Sequence, residues 1–315
     1  MPRKSTTPSF SEKDIPNLKG YVIIVTGGNS GIGYETSFQL AQRGARVYIG
    51  GRSTERVEDA IDRMNQAHGA KLDIRFLRLD LTDLKSVKSA AQQFATLERR
   101  LDVLINNAGI MSAPYKLTGD GFESQWQTNY LAPHALTHCL MPLLLSTASS
   151  SPDGTRVRVV NVSSDAAFSG PKTIEWNDVN MTSTKGVMEL WKRYGHSKQA
   201  SIRDAKYLND LYSTQGVTAY SVHPGYVPSN LQSHDPTIIG SAIRLAMKLS
   251  RTTALQGALT TLYCATSPEA PAVGAGRFFV PVGKLDARAD TWFADTEGNK
   301  RLWEMAEEQS NTGIS

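Results

Sequence analysis

The stretch Val22–Gly33 constrains this chain more than any other. Val22-Ile-Ile-Val-Thr26 runs straight into Gly27-Gly-Asn-Ser-Gly31-Ile-Gly33, where a helical pattern begins. A short Val/Ile run without polar alternation is a strand covered on both faces. Glycine at the exit lets the backbone turn sharply and approach an anion with no Cβ in the way. The free N–H groups of the following helix carry partial positive charge toward that anion. Strand, glycine turn and helix in this order make a dinucleotide-binding unit. Gly27, Asn29, Ser30, Gly31, Ile32 and Gly33 are its candidate phosphate contacts.

The same alternation continues along the chain. Strands are predicted at Tyr21–Thr26, Arg46–Gly50, Asp73–Leu79, Asp102–Asn106, Val157–Val162, Val217–His223 and Arg277–Pro281. Helices are predicted near Gly31–Arg43, Thr54–Gln66, Leu84–Leu97, Phe122–Leu145, Leu190–Thr214 and Ala254–Ala265. Strands that alternate with helices give a parallel sheet with right-handed crossovers. The expected fold class is therefore α/β, a doubly wound parallel sheet of the Rossmann type, with about seven strands and helices on both faces. Residues 1–17, with three prolines among polar residues, read as a flexible arm, and 18–315 as a single domain. Gly44 has the position of a left-handed helix cap.

Charge narrows the function classes. Lys and Arg total 34 against 30 Asp and Glu, a net +4 spread along the chain, which gives no nucleic-acid or membrane patch. Two cysteines, Cys139 and Cys264, are too few for a disulfide framework or a thiolate metal site, and no metal is expected. The polar start lacks the apolar core of a signal peptide, and no window reaches the ~18 apolar residues of a membrane span. A cytoplasmic protein is the expectation.

The end of the second strand bears on the cofactor. An Asp or Glu there would bind a ribose 2′-hydroxyl, as NAD requires. This chain instead reads Val47-Tyr-Ile-Gly-Gly51-Arg52-Ser53. Arg52 can pair with a 2′-phosphate and Ser53 can donate to it, so NADP (NADPH) is expected. The competing reading makes Arg52 an ordinary surface residue capping the next helix.

Tyr194-Gly-His-Ser-Lys198 lies within a helical segment, and spacing of i to i+4 puts Tyr194 and Lys198 on one face. A phenol with a free pKa near ~10 is a poor acid–base catalyst at neutral pH, and a neighbouring ammonium lowers it. His196, two residues from Tyr194, does not share that face and reads as packing or surface.

With these residues the chain resembles the short-chain dehydrogenase/reductase superfamily over nearly its whole length. Thr26-Gly-x-x-x-Gly31-x-Gly33 fits the family's glycine motif, and Asn106-Asn107-Ala108-Gly109 its signature after the fourth strand. Asn129 in Thr128-Asn-Tyr-Leu-Ala-Pro-His, Ser164 after Val160-Asn-Val-Ser163, and Tyr194 with Lys198 match the catalytic positions. His223-Pro224-Gly225-Tyr-Val227 fits the Pro-Gly turn after the sixth strand. The resemblance implies hydride transfer between NADP(H) and a carbonyl or alcohol carbon. Tyr194 would be the general acid/base, Ser164 would steady the oxygen, and Lys198 would hold the ribose and depress the tyrosine pKa. Asn129 would hold a water that resupplies the proton. Asp80 and Leu81 would meet the adenine, Asn107, Ala108 and Gly109 would line the cofactor, and Pro224, Gly225 and Val227 would flank the nicotinamide. Within the family the chain is similar to the retinol-dehydrogenase-like branch and to soluble fungal biosynthetic reductases. That likeness rests on Phe278-Phe-Val-Pro281-Val-Gly-Lys, Leu302-Trp-Glu-Met-Ala-Glu-Glu and the insert Ile174-Glu-Trp-Asn-Asp178-Val-Asn180.

Several alternatives stay open. Asn129 could serve its own helix backbone, Asp80 could cap the helix near Leu84, and Ser163 could replace Ser164. Successive strand residues face opposite sides, so only one of the two serines points into the site. Asn177-Asp178-Val-Asn180 lacks a second ligand cluster for a metal. Substrate choice is placed in Asp165–Lys192 and Pro228–Leu255, and the second is expected to act as a mobile lid. Phe168, Ile174, Trp176, Met181, Met188 and Trp191 in the first suggest a sizeable apolar small-molecule substrate. Leu231, Ile238, Ile239, Ile243, Leu245, Met247 and Leu249 do the same in the second. The alternatives to net redox are epimerisation or cyclisation with bound NADP, and a non-catalytic dinucleotide sensor. Homo-oligomerisation is left open, and no nucleic-acid partner or membrane span is expected.

Overall fold

Every predicted apolar run forms a strand, and helices cover both faces of the resulting sheet. The computed structural model describes residues 10–151, 156–186, 188–227 and 252–312. The strands are β1 Val22–Thr26, β2 Arg46–Gly51, β3 Ile74–Arg78, β4 Val103–Asn106, β5 Val157–Val162, β6 Val217–Val222, β7 Phe278–Val280 and β8 Lys284–Leu285. Their order is β3-β2-β1-β4-β5-β6-β7-β8. The first seven run parallel, and β8 turns back antiparallel on β7 with Phe279 opposite Leu285. The sequence led us to expect about seven strands. The extra one is a two-residue exposed edge with no apolar pattern to betray it.

The helices are α1 Gly31–Gln42, α2 Thr54–His68, α3 Leu84–Leu97, α4 Ser124–Trp126, α5 Ala132–Ser149, α6 Glu189–Tyr212, α7 Ala254–Thr266, α8 Ala270–Gly274, α9 Asp290–Phe293 and α10 Thr296–Thr312. One core joins α1, α2 and α7 to the sheet through Leu40, Met64 and Leu262 against Ile23, Val25 and Val47. The other face packs α3, α5, α6 and α10 through Phe94, Leu136, Leu208 and Trp303 against Ile24, Leu104 and Val159. Burial on both faces is why the strands carry Val and Ile without alternation. Gly44 has φ +92, the left-handed exit from α1 that the sequence suggested.

Two expectations are corrected. The arm was expected to run loose to residue 17. From Phe10 onward it is packed instead: Phe10 meets Tyr263 edge to face at 5.4 Å, Ile15 is buried, and the Leu18 N–H donates to Arg43 O at 2.8 Å. Residues 1–9 lie outside the described residues. The helix expected over Phe122–Leu145 is interrupted by a π-helical turn, Gln127–Leu131, between α4 and α5. Side-chain bonds of Asn129 to a neighbouring segment hold that extra residue, and such single turns collect at functional sites. No helix among the described residues is long and apolar enough to cross a membrane.

The strand order reverses direction between β1 and β4. In open α/β sheets the crevice beyond the carboxyl ends at this switch point is where ligands bind.

Candidate active site

The glycine turn leaves β1 at this switch point. Gly27 and Gly31 take left-handed φ values of +66 and +54. At Gly33 a Cβ would lie 2.4 Å from both Asn107 Nδ2 and Gly27 O, so the turn has no room for any side chain there. Ser30 precedes α1 without a capping side-chain bond, which leaves the first-turn N–H groups unclosed by it. Thr26, which the sequence reading quoted in the glycine motif without giving it a role, ties this turn to the end of β4. Its Oγ1 accepts from Asn107 N and Ala108 N, both at 3.0 Å, and Asn107 Nδ2 donates to Thr26 O at 2.8 Å. Gly27 and Gly33, and with them the turn through Asn29, Ser30, Gly31 and Ile32, thereby stand against Asn107 and Ala108, with Gly109 next in the chain.

A surface depression beyond β2 and β3 is lined by Arg52, Arg78, Asp80, Lys85, Ser86 and Ser89. The sequence reading named only Arg52 and Asp80 of these. Arg78 ends β3 at an exposed register position, and Lys85 opens α3. Arg52 is exposed and does not cap α2; Ser53 does so, accepting from Arg56 N at 3.4 Å. That bond uses the Ser53 oxygen as acceptor and leaves its O–H free to donate. Asp80 does not cap α3 either. Its Oδ1 accepts from Thr82, and Asp83 takes the capping position. Leu81 is buried beneath.

Strand alternation separates the two serines after β5. Ser163 Oγ is buried and donates to Lys198 O at 2.8 Å, which joins β5 to α6. Ser164 is partly exposed, and its hydroxyl lies near enough to the Tyr194 phenol to favour the phenolate. Its Oγ also accepts from Ala166 N at 3.1 Å, which fixes the hydroxyl at the start of a short 3-10 turn. Burial pushes the Tyr194 phenol up to about 12, and the nearby Ser164 hydroxyl opposes this only partly. The sequence reading expected Lys198 to bring this phenol down. In the free protein burial dominates, because the Lys198 ammonium sits 5.8 Å from the centre of the Tyr194 ring. Lys198 itself is buried, donates to Val162 O at 2.8 Å and is pulled down to about 8 by burial.

Asn129 bridges the cradle and this catalytic face. Its Oδ1 accepts from Ile110 N at 2.8 Å, while Nδ2 donates to Ile110 O at 2.9 Å and to Ser197 Oγ at 3.0 Å. Ser197 in turn donates to Tyr194 O. Asn129 therefore bonds backbone outside its own helix. Gly109 is the point of closest approach, where a Cβ would stand 2.9 Å from Asn129 Oδ1 and 3.4 Å from Lys198 Nζ. Ile110 and Ser197 were missed by sequence reading; only the i+3 spacing of Ser197 from Tyr194 hinted at it.

The Pro-Gly turn is anchored beside Ser164. Tyr226 donates to Asp165 Oδ2 at 2.8 Å, and Arg288 bonds both Asp165 and Asp286 at 2.5 Å. Pro224 and Gly225 are half-buried, and Val227 is buried against Gly257 at the start of α7. Most apolar residues assigned to substrate in Asp165–Lys192 pack elsewhere. Phe168 stacks on Trp292, Ile174 and Met181 are buried, and Trp176 lies under Arg301. Trp191 meets Tyr194 in the first turn of α6, and Met188, just before that helix, is exposed. His196 stacks on Trp126 and accepts from Glu175 N, so it is a packing residue. Asp178 accepts from Thr182 beside the insert, and Asn180 ties the insert to the start of α4, accepting from Glu123 N and donating to Gly121 O. Residues 228–251, and the lid placed on them, lie outside the described residues.

Comparison with known proteins agrees with this geometry. The profile of the short chain dehydrogenase family matches residues 21–175. A short-chain dehydrogenase/reductase of Aspergillus calidoustus, drtF, is 40% identical over 306 residues, 94% of this chain and 95% of that protein. Mouse retinol dehydrogenase 12 is 35% identical over 92% of this chain and 86% of its own length. Among solved structures, an uncharacterized protein of Mycobacterium paratuberculosis superposes with a TM-score of 0.71 at 31% identity, over 96% of this chain and 98% of its own. The NADP complex of Pseudomonas aeruginosa RhlG superposes at 0.64 with 26% identity, over 85% and 96%. The chain belongs to the short-chain dehydrogenase/reductase superfamily of oxidoreductases, and within it is retinol-dehydrogenase-like.

Proposed function

We propose that the protein is an NADP(H)-dependent oxidoreductase that reduces the carbonyl group of a sizeable, largely apolar small molecule. The observation that carries this reading is the placing of Tyr194 and Lys198 one turn apart on α6, with Lys198 against Gly109 and Ser164 near the Tyr194 phenol, beside a glycine-lined turn. The cradle fits a dinucleotide. Side chains are sterically barred at Gly33, and Gly109 abuts Lys198, so a bound pyrophosphate and ribose would meet backbone and one cation. Arg52, with Arg78 and Lys85 around the same depression, suits a 2′-phosphate, and RhlG, with NADP bound, supports the same cofactor.

When bound, NADPH supplies the hydride. Tyr194, holding its proton at neutral pH, donates it to the carbonyl oxygen as negative charge develops there. Ser164 hydrogen-bonds the same oxygen and stabilises that charge. Lys198 has three N–H donors, of which one is given to Val162 O, so two remain for the ribose hydroxyls, while its positive charge favours the phenolate. Asn129 acts by fixing Ile110 and Ser197, and so the walls on either side of Lys198.

The test is NADPH oxidation, followed by absorbance, across a panel of cyclic and aromatic ketones and aldehydes, beside the same panel with NADH. Carbonyl-dependent oxidation with preference for NADPH is expected. Turnover of carbonyl compounds or their alcohols with neither cofactor would overturn the reading and favour chemistry without net redox.

A further inference from the structure

Trp191 stands three residues before Tyr194 in the first turn of α6, so the two side chains share a helix face. Their rings meet edge to face, with centroids 6.4 Å apart at 90°. The indole Nε1 of Trp191 is buried and has no hydrogen-bond partner among the described residues. A buried donor without an acceptor carries a desolvation cost, and buried tryptophans ordinarily satisfy theirs. Phenylalanine would line the same wall without that cost. The other aromatic residues of this segment are engaged elsewhere, Phe168 on Trp292 and Trp176 under Arg301. Trp191 is therefore an aromatic residue beside the reacting hydroxyls with an unused donor.

We propose that Trp191 Nε1–H donates a hydrogen bond to a second oxygen of the substrate. The substrates are then oxygenated carbonyl compounds, such as hydroxyketones, diketones or keto-ethers, rather than simple apolar ketones. With the two ring centres 6.4 Å apart, the second oxygen lies several ångströms from the carbonyl oxygen held by Tyr194 and Ser164. An apolar body with one oxygen at each end also reconciles the few apolar side chains left at the site with the two polar positions. This assignment rests on the reductase reading above for the location of the carbonyl.

The probes are 1-tetralone and 4-hydroxy-1-tetralone, which differ by a hydroxyl across the ring from the ketone. Their binding is measured by calorimetry to protein saturated with the redox-inert analogue 1,4,5,6-tetrahydro-NADP, so that neither reduction of the ketone nor oxidation of the alcohol occurs, for the native protein and for Trp191→Phe. The native protein is expected to bind the hydroxyketone about tenfold more tightly than the parent ketone. Trp191→Phe should abolish that preference, whatever its effect on the parent ketone, while leaving NADPH affinity unchanged. A preference that survives in Trp191→Phe, no preference in the native protein, or no binding of either ketone overturns the proposal. A Trp191-dependent preference without reduction of either ketone by NADPH would leave the hydrogen bond standing and remove the reductase reading instead.

Discussion

Lys198→Met should stabilise the free protein at pH 7 even though it removes a residue we place in the active site. Burial pulls Lys198 from 10.5 to about 8, equivalent to about 3 kcal/mol against its charged form. The unfolded chain holds this proton up to higher pH than the folded one. The penalty is therefore fully present below about pH 8 and fades as pH rises to 10.5. Methionine keeps the length of the side chain and carries no charge, but it leaves Val162 O without its 2.8 Å donor. That loss is worth about 1 kcal/mol, so the net gain at pH 7 is about 2 kcal/mol. In a chain of this size such a gain raises the unfolding midpoint by about 4 °C. Thermal unfolding followed by circular dichroism at pH 7 and pH 10.5 measures it. The gain should shrink to nothing, or reverse, at the higher pH, where the native lysine is neutral in the folded protein and about half neutral in the unfolded chain. A mutant less stable than the native protein at pH 7 would refute the reasoning, because it would mean that the buried ammonium is already compensated without ligand.

Arg52→Ala should weaken NADPH binding by roughly tenfold to a hundredfold, the worth of a charge-assisted bond, and leave NADH binding nearly unchanged in fluorescence titrations; equal loss of both would make Arg52 structural. Ser164→Ala should lower kcat at least tenfold with little change in unfolding midpoint. Ser163→Ala should do the opposite, costing about 1 kcal/mol of stability through the lost bond to Lys198 O. Gly33→Ala should weaken binding of both cofactors more than tenfold, because its Cβ would stand 2.4 Å from Gly27 O, a backbone atom that cannot swing aside.

The sheet was legible because its strands are buried on both faces, which forces runs such as Val22-Ile-Ile-Val and Val157-Arg-Val-Val to dispense with alternation. β8 was not, since two exposed residues paired at an edge leave no pattern. The π-helical turn around Asn129 depends on bonds to Ile110, a partner nineteen residues away that no local spacing reveals. Alternation said that only one of Ser163 and Ser164 could face the site; choosing between them needed the register of β5 against α6. Apolar composition misjudged the substrate segment for a similar reason. Ile174 and Met181 have the same chemistry in a core as in a pocket, and only the packing of the insert against its neighbours separates the two.

The central claim is that Tyr194 delivers the proton, and Tyr194→Phe tests it most directly. The substitution removes one hydroxyl from a buried ring and leaves Lys198, Ser164 and the glycine turn in place. NADPH affinity and single-turnover NADPH oxidation are measured on the same preparation, with a ketone that the native protein reduces. The account predicts cofactor affinity close to native and a hydride-transfer rate reduced at least a hundredfold, the usual worth of a positioned general acid. A mutant that binds NADPH normally and still oxidises it at a rate near native would contradict the account.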